Sequence, residues 1–138
     1  MSRARFFLSV FVVGALAGCG SYTAPSNPPA GGGMQAANGI SIVLGAQTKG
    51  TAAFSPNPRT ISLASATGGL VVWTNNDQNS GVYGGTGVTH NITADDASFA
   101  SGNILPGGTF ETTLAAPGSY PYHCSIHPTM KGTVTVTQ

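Results

Sequence analysis

Tyr120-Pro-Tyr-His-Cys124-Ser-Ile-His127-Pro-Thr-Met130-Lys-Gly132 runs up to a last segment, Gly132-Thr-Val-Thr-Val-Thr137, that alternates valine with threonine. Alternation at period two is the pattern of a strand with one buried face. The aromatic-rich run from Tyr120 to His123 also reads as a strand. Neighbours in a strand point to opposite faces, so if Cys124 faces inward, His123 faces away. Between the two runs a thiol, an imidazole and a thioether fall within seven residues, at the spacing Cys-x-x-His-x-x-Met.

One more imidazole would complete a set of two His, one Cys and one distant Met, the donor set of a blue-copper electron-transfer site. Imidazole nitrogen suits Cu(II) and soft sulfur suits Cu(I), so such a set serves both states. The chain has three histidines, His90, His123 and His127. In Val88-Thr-His90-Asn-Ile92-Thr, a period-two reading puts Val88, His90 and Ile92 on one apolar face. His90 is therefore the second candidate. Taken alone, a histidine on an apolar face is a satisfied core residue, a Cys is a small buried hydrophobe and a Met is core filler. The constellation points to metal. Zinc is the competing ion, but it prefers Cys, His and carboxylate in closed tetrahedra, and thioether is a poor ligand for it. The acids closest to the motif in sequence are Glu111, Asp95 and Asp96.

The rest of residues 40–138 reads as all β. Ile40-Ser-Ile-Val-Leu44, Thr60-Ile-Ser-Leu63, Leu70-Val-Val-Trp73 and Thr109-Phe-Glu-Thr-Thr-Leu114 are strand candidates. Asn57-Pro58, Gly68-Gly69, Pro106-Gly107-Gly108 and Pro117-Gly118 are turn signals between them. Short strands at this density, without helical periodicity, indicate a sandwich or a barrel.

These segments resemble the cupredoxins, the family of plastocyanin, pseudoazurin and amicyanin. The resemblance runs from about residue 52 to the C-terminus. It is carried by Phe54-Ser-Pro56, Val71-Val-Trp73-Thr-Asn-Asn-Asp77, His90-Asn91, Pro106-Gly-Gly-Thr-Phe110 and, most strongly, residues 118–136. It implies a single Greek-key β-sandwich holding one type 1 copper, with His90, Cys124 and His127 as equatorial ligands and Met130 as the axial one. It also implies that the Asn91 backbone N–H bonds the thiolate while its side chain ties the ligand segments together. Two departures stand out. Twelve residues, Gln78 to Thr89, separate Asp77 from His90, a longer link than in close relatives. Ile126 stands where amicyanin and plastocyanin have proline, so a backbone N–H is restored there and is expected to reach the Cys124 sulfur.

The chain opens with Met1-Ser-Arg-Ala-Arg5, an apolar run from Phe6 to Leu16, and Ala17-Gly18-Cys19. A basic start, a short apolar core and small residues read as a secretory signal over 1–18. Leu16-Ala-Gly-Cys19 resembles a bacterial lipobox, in which cleavage precedes the Cys and the Cys carries lipid. With Cys19 assigned to lipid and Cys124 to metal, no disulfide is expected. Residues 19–39 are rich in Gly, Pro and Ser and read as a flexible tether with a reach of about 25 Å. The mature chain would keep Lys49, Arg59 and Lys131 against Asp77, Asp95, Asp96 and Glu111, a formal net charge of −1. That leaves no basic footprint for nucleic acid. The expectation is a monomeric, lipid-anchored electron carrier facing the periplasm that meets donor and acceptor redox proteins transiently and has no enzymatic activity. Gly20 after Cys19 leans toward the outer membrane. The rival is a copper carrier or buffer without an electron-transfer role. A chain with methionines only at 1, 34 and 130 lacks the Met-rich tracts of metal-exchange proteins.

Overall fold

The computed structural model describes residues 37–78 and 87–138. The signal segment, Cys19, most of the tether and residues 79–86 of the long link lie outside the described residues. Among those described, eight strands form two four-stranded sheets. The strands are β1 (Gly39–Ile42), β2 (Phe54–Ser55), β3 (Arg59–Ser62), β4 (Leu70–Asn75), β5 (Thr93–Ala94), β6 (Thr109–Thr113), β7 (Gly118–His123) and β8 (Lys131–Thr137). One sheet has the order β2-β1-β4-β6 and the other β3-β8-β7-β5. β1 runs parallel to β4 and β3 parallel to β8, and the other pairs are antiparallel.

The period-two reading explains which side chains fill the space between the sheets. In β8 the inward residues are Gly132, Val134 and Val136, and in β4 they are Val71, Trp73 and Asn75. Ile40 and Ile42 from β1, Ile61 from β3 and Tyr122 from β7 join them in one core. Trp73 is its hub: the ring stacks on Phe110, tilts against Phe99 and meets Tyr122 edge-on. Gly132 is a glycine for a steric reason, because a Cβ there would collide with the Tyr122 ring.

Several boundaries differ from the sequence reading, most by one or two residues. β1 starts at Gly39, and Asn38 before it is already buried, its Nδ2 donating to Thr67 Oγ1 at 2.8 Å and Leu70 O at 2.9 Å. The strand expected around His90 is reduced to an isolated bridge with Ile104, and β5 covers only Thr93–Ala94.

Candidate metal centre

Two stretches of chain deliver the donors, one with His90 and one with Cys124, His127 and Met130. His90 is pinned by its bridge, its N–H donating to Ile104 O at 3.2 Å and its carbonyl accepting from Ile104 N–H at 2.7 Å. Cys124 continues the alternation of β7 by one residue: Tyr122 and Cys124 are buried, and His123 between them turns outward to Asp95, 2.6 Å away. Met130 immediately precedes β8 and is fully buried. His127 lies between, half-buried. The backbone of this loop forms a closed ring. His127 N–H donates to Cys124 O at 3.2 Å, Met130 N–H to His127 O at 2.9 Å, and Cys124 N–H to Met130 O at 3.1 Å. The x-x spacings are thus one tight turn each, and three ligand residues are fixed to one another through the main chain.

The donor atoms converge. His90 Nδ1 and His127 Nδ1 are 3.2 Å apart, and Cys124 Sγ is 3.9 Å from the first and 3.7 Å from the second. All three lie within 4.8 Å of one another, and no other group of three or more His, Cys, Asp or Glu of this kind occurs among the described residues. A triangle of this size has room at its centre for one ion at ordinary metal–nitrogen and metal–sulfur lengths of about 2.0–2.3 Å. Two imidazoles, a thiolate and a buried thioether, with no carboxylate in the group, suit copper. Burial raises the Cys124 pKa, but hydrogen bonds from His90, the Asn91 N–H and His127 outweigh it and bring the thiol down to about 6. The ligand form of sulfur is therefore accessible near neutral pH.

Asn91 donates its backbone N–H to Cys124 Sγ at 3.4 Å. Its side chain donates to Ser125 Oγ and accepts from Ser125 N–H, each at 2.7 Å, so it clasps the Cys124 loop from across the site. The bond expected from Ile126 N–H to Sγ is not made. Ser125 and Ile126 are the middle of the turn closed by His127 N–H on Cys124 O, and the Ile126 side chain stands 45% exposed. The backbone N–H that reaches the sulfur from across the site is that of Asn91, and Ile126 adds none.

Asp77 is a site residue that the sequence reading passed over. Its carboxylate is buried and lies 2.9 Å from His90 Nε2. The other donors on it are the backbone N–H groups of Gly45 at 2.7 Å and Ala46 at 3.2 Å. Burial alone would raise this carboxyl, but the hydrogen bonds from His90, Gly45 and Ala46 outweigh it and hold the pKa below the usual range. Behind it, Asn75 donates to Val88 O at 2.8 Å and Ile104 O at 2.9 Å and accepts from Asp77 N–H at 3.0 Å. The signal was available. Counting on by twos from Val71 and Trp73 puts Asn75 and Asp77 on the same inward face, and a buried acid needs a partner.

A sequence model of copper-binding proteins of the plastocyanin/azurin family matches residues 42–137. Among solved structures, a purple cupredoxin from Nitrosopumilus maritimus is similar at 31% identity and a TM-score of 0.57, covering 72% of this chain and 98% of that one. An oxidised proline-to-glycine mutant of amicyanin matches at 18% identity and a TM-score of 0.53, over 75% of this chain and 84% of that one. A copper-containing nitrite reductase from Thermus scotoductus matches at 28% identity and a TM-score of 0.49, over 62% of this chain and 20% of that longer one. With the family match running through both sheets and the four donors placed as a type 1 copper site, this chain belongs to the plastocyanin/azurin family of copper-binding proteins.

Proposed function

We propose that the protein is a type 1 copper electron carrier that passes single electrons between two redox proteins and performs no substrate chemistry. The observation that carries this reading is the gradient of exposure across the donors. His90, Cys124 and Met130 are fully buried, and His127 alone is half-buried on a surface loop. Bound there, copper supplies a one-electron Cu(II)/Cu(I) couple. The buried donors exclude water, the hydrogen-bonded loop holds their positions in both states, and His127 is the port.

The docking face at that port would be apolar. Leu44, Leu105 and Ile126 are the exposed large hydrophobic residues among those described. Each adjoins a residue that touches the site: Gly45 bonds Asp77, Ile104 bonds His90, and His127 is a ligand. With a nearly neutral chain, docking would rest on this short-range apolar contact and depend weakly on salt. The partner proteins would be one electron donor and one acceptor, met transiently. Cys19, carrying lipid, would hold the domain on the periplasmic side of a membrane, the outer membrane in preference to the inner.

The test is the copper-loaded, oxidised protein. It should be intensely coloured through a thiolate-to-copper band, have small copper hyperfine splitting, and give a reversible one-electron wave. Rapid copper transfer to a metal-free acceptor without a reversible wave would replace this reading with that of a copper carrier. For the anchor, Cys19→Ser should release folded protein from membranes, and wild-type protein found free with an unmodified N-terminus would reject it.

A further inference from the structure

We propose that Asp77 is the positioning residue of the centre: its carboxylate fixes His90 as the Nε2–H tautomer, turns Nδ1 toward the metal, and biases the bound copper toward Cu(II). This rests on the copper assignment above but concerns a residue outside the donor set.

The argument begins with hydrogen-bond arithmetic. Three donors reach the Asp77 side chain: Gly45 N–H on Oδ1, and Ala46 N–H and His90 Nε2 on Oδ2. Both backbone groups can only donate. An ionised carboxylate is acceptor-only, with two oxygens and several lone pairs, and can serve all three. With Asp77 ionised, His90 Nε2 must carry its proton. In neutral imidazole, Nδ1 is then the unprotonated nitrogen, and it is Nδ1 that faces Cys124 Sγ and His127 Nδ1. An amide in place of the carboxylate has one acceptor and one donor group. If its NH2 faced Gly45, two donors would oppose. If it faced His90, the imidazole would have to switch tautomer and point N–H into the metal site. No orientation of Asn satisfies the same three partners.

Location and cost favour a functional role. The His90 and Asp77 side chains are 0% and 4% exposed, so water does not compete for either group. Burying a carboxylate is expensive unless it is bonded, as this one is on both oxygens. The clamp is also rigid: Asp77 N–H is held by Asn75, and Asp77 O accepts from Val88 N–H at 3.0 Å. A negative charge on the far nitrogen raises the basicity of Nδ1. That stabilises the more highly charged metal state and lowers the reduction potential.

The experiment compares wild type, Asp77→Asn and Val136→Ala, all copper-loaded. Val136 is buried in the core toward the end of β8 far from Met130, so Val136→Ala destabilises the sandwich without touching the clamp. Cu(II) affinity is measured by chelator competition, potential by voltammetry, and the His90 ring protons by nitrogen-edited NMR of the diamagnetic Cu(I) form. Asp77→Asn should weaken Cu(II) about 10–100-fold, raise the potential, and lose or shift the hydrogen-bonded His90 Nε2–H signal. Val136→Ala should lower stability while keeping affinity, potential and that signal near wild type. Equal changes in both variants would reduce Asp77 to a structural residue and overturn the proposal. If Asp77→Asn does not fold, the wild-type Cu(I) spectrum decides: a slowly exchanging, downfield His90 Nε2–H supports the clamp, and a fast-exchanging or missing one refutes it. A coloured wild-type protein with an unaltered Asp77→Asn variant would sink the clamp alone. A colourless wild type would sink the copper reading.

Discussion

At the metal end of the sandwich, Asp77 gathers three hydrogen bonds and Asn75 stitches two carbonyls, whereas in the middle of the same core Trp73 Nε1 and Tyr122 Oη have no partner among the described residues. Both regions are buried to a similar degree. The middle is held by area and ring geometry, with Tyr122 edge-on to both Phe54 and Trp73, and tolerates a lost hydrogen bond or two because nothing there must be aimed. The metal end must present chosen atoms of chosen tautomers, and there the donors and acceptors are matched. The contrast separates packing from orientation as two uses of burial.

The contrast makes ordered predictions. The largest effect belongs to the donors: Cys124→Ser should abolish the visible band altogether, since an alcohol does not replace thiolate. A mutant that stays coloured would break the ligand assignment. Next comes the middle under steric attack. Gly132→Ala drives a Cβ into the Tyr122 ring from β8, a strand paired on both sides, and should cost about 3 kcal/mol or more in denaturant unfolding. Removing a polar group from the metal end should follow: Asn75→Ala takes the donor from Val88 O and the acceptor from Asp77 N–H, leaves Ile104 O with the His90 N–H alone, and should cost about 2 kcal/mol.

Removing a polar group from the middle should cost far less. Tyr122→Phe deletes an unpartnered hydroxyl and should change stability by about 0.5 kcal/mol or less near neutral pH. A pH series sharpens the point. Burial pushes the Tyr122 phenol above its ordinary value of 10, with the nearby Trp73 indole N–H pulling slightly the other way but forming no bond. A group whose folded pKa is raised favours folding below its unfolded pKa and loses that contribution as pH climbs toward the folded value. Wild type should therefore lose stability above about pH 10, and Tyr122→Phe should remove part of that alkaline loss. If Tyr122→Phe proves as costly as Asn75→Ala, the contrast fails. The smallest effect is expected at Ile126. Its N–H bonds nothing at the sulfur, so Ile126→Pro and Ile126→Val should have potentials indistinguishable from wild type; a fall with Pro alone would show that the bond forms after all.

Much of this was legible in the sequence because it depends on period two. Val134 and Val136, Val71 and Trp73, and the opposite faces of His123 and Cys124 follow from alternation alone. The donor group followed from residue chemistry at short spacing. What was not legible depends on contacts between segments far apart in the chain. Asp77 meets Gly45 and Ala46 more than thirty residues away, and no local pattern announces that partnership. The Ile126 expectation failed because the presence of an N–H does not say where it points. That direction is set by the turn joining Cys124 O to His127 N–H.

The hydrogen bond from Val88 N–H to Asp77 O also marks a place where the molecule can be rebuilt. Gly87 lies so close to Asp77 O and the Pro106 ring that a side chain would not fit there. Asp77 and Val88 are thus fastened together, and doubling the length of a flexible segment spliced between them should cost only about 0.6 kcal/mol. A peptide, a dye-binding tag or a second redox module grafted there would hang from a stem one residue away from the group that grips His90. The copper's colour and potential would then report on whatever the graft binds.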